Sequence, residues 1–194
     1  MILNYLIFKE DYFMVWLIIL AIIVVILIWF IATYNKFVTL RAKVDEAFSS
    51  MDVFLKKRYD LIPNLVSTVK GYASHEKNTL KEVVEARGKA LNGNVKQRAE
   101  AEGELSSALS RLLMLKESYP ELKADSQFKE LSGELTSIEG EIERSRRYYN
   151  SSARGLNEYA RKIPSCFVAS FMKIEQVEYF TVNEEERKNV KVEF

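Results

Sequence analysis

Tyr12-Phe13-Met14-Val15-Trp16-Leu17-Ile18-Ile19-Leu20-Ala21-Ile22-Ile23-Val24-Val25-Ile26-Leu27-Ile28-Trp29-Phe30-Ile31-Ala32 is an unbroken uncharged run. At about 1.5 Å of rise per residue, ~21 helical residues span roughly 31 Å, the thickness of a bilayer's hydrocarbon core. A buried core helix of that length would carry polar positions, and this run has none. A cleavable signal peptide has a basic start, a shorter apolar stretch and a small-x-small end. Here Lys9-Glu10-Asp11 precede the run and Trp29-Phe30-Ile31 crowd its end. Residues 12–33 therefore read as a permanent transmembrane helix in contact with membrane lipid, preceded by a short outer segment, 1–11. Tyr12, Trp16, Trp29 and Tyr34 lie near its ends, where amphipathic rings meet the two interfaces.

Basic residues set the expected orientation. Lys9 alone precedes the run, whereas Lys36, Arg41, Lys43 and Lys56-Lys57-Arg58 follow it. The positive-inside rule then predicts a single-pass protein of a bacterial inner membrane, N-terminus outside and the remainder cytoplasmic. A net charge of +1 offers no basic excess, which excludes a nucleic-acid partner. The single cysteine, Cys166, excludes an internal disulfide and a cysteine-rich zinc site.

Beyond the run the pattern is helical. Tyr34 to Ile62 contains neither Gly nor Pro, and Phe37, Leu40, Val44, Ala47, Phe48, Met51, Phe54 and Leu55 trace one stripe. Nothing between Ala32 and Phe37 would break a helix, so the span is expected to run straight into this one. Pro63 predicts a kink or break at 60–64. The pattern resumes from Leu65 to Val84 and ends at Gly88 or Asn92-Gly93-Asn94. A third helix is expected from about Val95 to Ser118, stopped by Tyr119-Pro120. A fourth starts near Asp125-Ser126, good N-caps, and closes at Ile163-Pro164. The expected fold is all-α: a transmembrane helix continuing into an antiparallel four-helix-type bundle over 34–164, with a partly ordered tail, 165–194.

Tyr34-Asn35-x-Phe37-Val38, Val44-Asp45-Glu46-Ala47 and Leu55-Lys56-Lys57-Arg58-Tyr59-Asp60-Leu61-Ile62-Pro63-Asn64-Leu65-Val66 follow the span in order. Val69-Lys70-Gly71-Tyr72-Ala73-Ser74-His75-Glu76, Glu117-Ser118-Tyr119-Pro120 and Arg147-Tyr148-Tyr149-Asn150 come after. This string resembles the LemA family of bacterial membrane proteins from about Tyr12 to Pro164, with a looser echo at Val192-x-Phe194. The resemblance implies one N-terminal span, an outer N-terminus and a cytoplasmic helical bundle. It carries over no established activity, and it implies partner roles, such as beside a membrane protease. A related branch comprises proteins of magnetosome membranes. Leu156-Asn157 stands where the family tends to repeat Tyr-Asn, and the tail from Cys166 fits the family poorly.

A bundle di-iron site needs two Glu-x-x-His motifs, and this chain has one histidine, His75, with Tyr72 three residues before it. No nucleotide-binding loop or nucleophile elbow is present. No cofactor, metal or catalytic residue is assigned, and a metal-dependent enzyme is the weakest reading. Polar residues on apolar faces are more informative. Arg58 lies seven residues after Met51 on the stripe, and is expected to meet an acid on a facing helix, Glu139 first. Glu139 and Arg146 are seven apart, as are Asn150 and Asn157. They are read either as surface salt bridges, such as Glu143 with Arg147, or as a semi-buried network that fixes register. Gly133, Ser137 and Gly140 form a small-residue stripe expected to allow close packing inside the bundle.

The reading that results is a non-enzymatic, membrane-anchored scaffold or adaptor. Its candidate partner-binding or register-fixing residues are Asp52, Arg58, Asp60, Asn64, Lys70, Glu139, Arg146 and Asn150. The partner is the chain itself or another envelope protein. The alternative is a homo-oligomer that organises membrane.

Overall fold

The computed structural model describes residues 2–91 and 93–181, with side chains from residue 13 onward. Among them every regular element is helical: α1 (Ile2–Tyr72), α2 (Lys77–Ala90), α3 (Val95–Met114), α4 (Pro120–Ala124), α5 (Ser126–Arg161) and α6 (Ser165–Phe171), with a 3₁₀ turn at Leu115–Glu117 after α3. The all-α expectation holds. The terminal Val192-x-Phe194 lies outside the described residues.

α1 is one unbroken helix through the apolar run and the bundle. Every described side chain from Phe13 to Ile28 is exposed, and the helix is long and apolar enough to cross a membrane. Beyond the run, Phe37, Val44, Ala47, Met51, Leu55, Ile62, Leu65 and Val69 are buried at three-, four- and seven-residue steps. The break expected at 60–64 is absent. Pro63 removes the N–H that would reach the Tyr59 carbonyl. Arg87 Nε, from α2, donates to that same carbonyl at 2.8 Å. The neighbouring helix satisfies what the proline leaves open, and α1 continues to Tyr72.

The real break falls at residues 73–76, after Gly71 has weakened the last turn. α2 and α3 then form a hairpin beside the distal half of α1. A capping box starts α3: Gln97 N–H donates to Asn94 Oδ1 at 2.9 Å and Asn94 N–H to Gln97 Oε1 at 3.0 Å. Gly93 precedes it at φ +116°, and a Cβ there would lie 2.9 Å from Gln97 Cβ, so the turn requires glycine.

α5 returns antiparallel to α1 in fixed register. Tyr72 meets Asp125, Arg58 meets Glu139, Phe48 meets Tyr149 edge-on and Phe37 packs on Tyr159, so each step along α1 is matched, to within one residue, by a step back along α5. Asp125 starts α5 by accepting from Phe128 N–H at 2.7 Å, and accepts from Tyr72 O–H at 2.9 Å. The amide bond first and then Tyr72 hold its carboxyl below the usual carboxylate range. A depressed carboxylate stabilises above its unfolded pKa and ceases to as pH falls through the folded value, so this tip contact is complete at neutral pH.

The close packing expected of Gly133, Ser137 and Gly140 is absent. A Cβ at Gly133 would meet nothing within 4 Å, and one at Gly140 only Arg144 Nη1 at 4.0 Å. The buried face of α5 is Leu131, Leu135, Ile138 and Ile142, which turns the small residues away from the core.

α3 reaches back only to the level where Arg98 pairs with Asp52. Nearer the apolar run, the C-terminal segment lies along α1 and α5, and Phe180, Val177 and Ile174 join the core. The tail is part of the fold through its described residues, and includes the short helix α6.

Candidate functional site

Arg58 occupies a core position on α1 between Leu55 and Ile62 and is 1% exposed. Its guanidinium forms ion pairs with Glu102 of α3 and with Glu139 of α5, the latter at 2.6 Å, and donates to Ser106 Oγ at 3.1 Å. One side chain thus clasps three helices. Tyr59, the next residue, reaches the Glu102 carboxylate with its hydroxyl and lies 3.2 Å from the Ala90 carbonyl. Burial pushes its phenol above the ordinary value, against the opposing pull of Arg98 and Arg58, so it remains a protonated donor. Arg98 extends the network outward, pairing with Asp52 and lying 5.5 Å over the Phe48 ring.

Taking a guanidinium out of water costs several kcal/mol, which its ion pairs roughly offset rather than exceed. In the observed register both carboxylates reach the Arg58 guanidinium. A cavity of about 350 Å³ opens beside it, lined by Glu102, Ser106, Glu139, Glu143 and Arg146. Among the described residues no cluster of three or more His, Cys, Asp or Glu is arranged to hold a metal ion.

The residues singled out in the sequence separate into three groups. Arg58 and Glu139 meet as a pair, and Asp52 joins them through the Arg98 branch. Arg146 stands half-buried at the cavity mouth. Asp60, Asn64 and Lys70 are exposed, and of these Lys70 lines a second cavity of about 360 Å³ between α1 and α2, together with Ile62, Pro63, Val66, Val84 and Arg87. Glu143 and Arg147 form the expected surface salt bridge. Glu102 escaped the sequence reading, although it lies three residues before Leu105 and seven before Leu109, on the apolar face of α3.

Asn150 belongs to a separate device. Its Nδ2 donates to the Phe180 carbonyl at 3.0 Å while its Oδ1 accepts from Phe180 N–H at 2.8 Å. Asn157 repeats both bonds with Val177, each at 2.9 Å. Tyr149 O–H adds a bond to the Glu178 carbonyl at 2.8 Å. Seven helical residues rise about 10.5 Å, and three extended residues advance about 10 Å, so the two asparagines match every third residue of an extended chain. Leu156, standing where the family tends to have a tyrosine, is buried in the core instead.

The profile described as LemA family matches residues 47–194, so it includes the tail. The similarity thus runs past Pro164 through the tail from Cys166, which was expected to fit the family poorly. Magnetosome protein MamQ of Magnetospirillum gryphiswaldense is 29% identical, over 83% of this chain and 71% of its own length. Protein LemA of Metamycoplasma hominis is 25% identical, over 83% of this chain and 74% of its own.

Two stability measurements follow from this geometry. Arg58→Met strands Glu102 in the core and should lower the unfolding free energy by about 3–5 kcal/mol, with Arg58→Met/Glu102→Leu recovering most of the loss. Urea unfolding in detergent checks this, and a double variant no better than the single contradicts it. Asn150→Ala/Asn157→Ala removes the bonds to the tail, each worth about 1 kcal/mol. Limited proteolysis should then cut within 173–180 far faster than in the parent, while α5 stays intact.

Proposed function

The chain belongs to the LemA family, and from that premise we propose that it is a non-enzymatic scaffold held to a membrane by α1. The observation that carries this reading is the continuity of α1 from the apolar run to Tyr72. A bundle whose central helix is also its membrane span is held at a set height and rotation above the bilayer, which suits a docking platform. The excess of basic residues after the run supports an outer N-terminus and a cytoplasmic bundle at the inner membrane.

The network around Arg58 serves the bundle itself, whereas Asp60, Asn64 and Lys70 are exposed on α1, Lys70 at the α1–α2 cavity. Those exposed residues, with Val84, are the contact surface in this reading. The partner is a second copy or another envelope protein, with a membrane protease as one such class. A second reading, membrane organisation by self-association, draws on the relatives named as magnetosome proteins.

A photo-reactive amino acid placed at Asn64 or Lys70 in intact membranes tests the scaffold. Discrete adducts are expected at both positions, absent from the distal Lys116, and lost when Val84→Glu blocks the cavity. Monomer alone at Asn64 and Lys70 contradicts the scaffold reading. Adducts composed only of this chain, in large detergent-resistant assemblies, favour the second.

A further inference from the structure

We propose that α6 is a lipid-contacting foot, with Ile163, Phe167 and Phe171 seated in the interfacial layer of the bilayer that α1 crosses. The inference rests on the reading of α1 as a membrane span and adds a second, independent contact with lipid.

Residues 163–172 contain no charge, and Arg161-Lys162 and Lys173 bracket them. α6 buries Ser165, Val168 and Ala169 against the bundle. Its other side leaves Phe167 68% and Phe171 76% exposed, and Ile163, two residues before the helix, is 82% exposed. Single exposed apolar residues are ordinary on any protein surface. Three large ones on a short uncharged segment, next to an apolar helix whose side chains from Phe13 to Ile28 are all exposed, are a different matter.

Height decides the occupant. The Phe171 ring meets Phe30 edge-on, with centroids 5.7 Å apart. Phe30 lies inside the uncharged run, about 3 Å of helical rise before its end at Ala32. The α1–α5 register leads to the same place: Tyr159 packs on Phe37, so the residues after Arg161 arrive at the level of the run itself. There the chain turns at Ile163-Pro164 and lays α6 against α1. Whatever medium surrounds Phe30 and Ile31 also surrounds the outer face of α6. The flanking basic side chains can extend toward phosphate headgroups while the rings stay among acyl chains.

The test uses the full chain in vesicles of phosphatidylethanolamine and phosphatidylglycerol. Nitroxides are attached at Phe167→Cys, Leu20→Cys and Val84→Cys, each in a Cys166→Ser background. Collision with oxygen is compared with collision with a water-soluble nickel chelate. Residue 167 should favour oxygen, less strongly than residue 20 near the middle of the run and opposite to residue 84. A solvent-like 167 with a lipid-like 20 overturns this inference alone. A solvent-like 20 overturns the span and this inference with it. Shielding of 167 from both reagents would mean that a second copy covers the patch, and also overturns it. If Phe167→Cys fails to fold, Ile163→Cys carries the same expectations.

Discussion

The antiparallel register between α1 and α5 is the constraint on which the rest of the structure depends. It sets Glu139 against Arg58, and Tyr149 and Tyr159 against Phe48 and Phe37. Slipping α5 by one residue would turn its apolar face about 100° away and leave Arg58 buried without Glu139. The ion pairs roughly offset the cost of burying Arg58, and a shifted register would lose them.

Continuity of α1 turns that register into position relative to a membrane. The helix survives Pro63 because Arg87 supplies the hydrogen bond that the proline lacks at Tyr59. The fixed register then carries the end of α5 to the apolar run, and α6 to Phe30. With that local repair, made by one guanidinium from α2, α1 runs on from Pro63 to Tyr72.

Much of this was legible in sequence. Three- and four-residue steps located α1, α3 and α5, and the seven-residue intervals exposed the pairing of Arg58 with Glu139. Other features carry no periodic signal. The segment 174–180 is held through backbone groups, which any residue supplies, so only its receptors, Asn150 and Asn157, could be seen, and their spacing did not announce an extended ligand. That α1 would not break at Pro63 was not legible, because a helix breaker is judged by its own chain, whereas Arg87 lies on another helix. Gly133 and Gly140 suggested close approach, but smallness alone does not say which face a residue is on.

The central claim is that span and bundle share one rigid helix. Nitroxides at Leu17 and Val53, both exposed on α1, test it in a bilayer by pulsed electron spin resonance. Thirty-six residues of straight helix predict one narrow distance distribution centred at about 54 Å. A broad distribution, or one centred well below ~45 Å, would place a hinge between membrane and bundle and contradict the account.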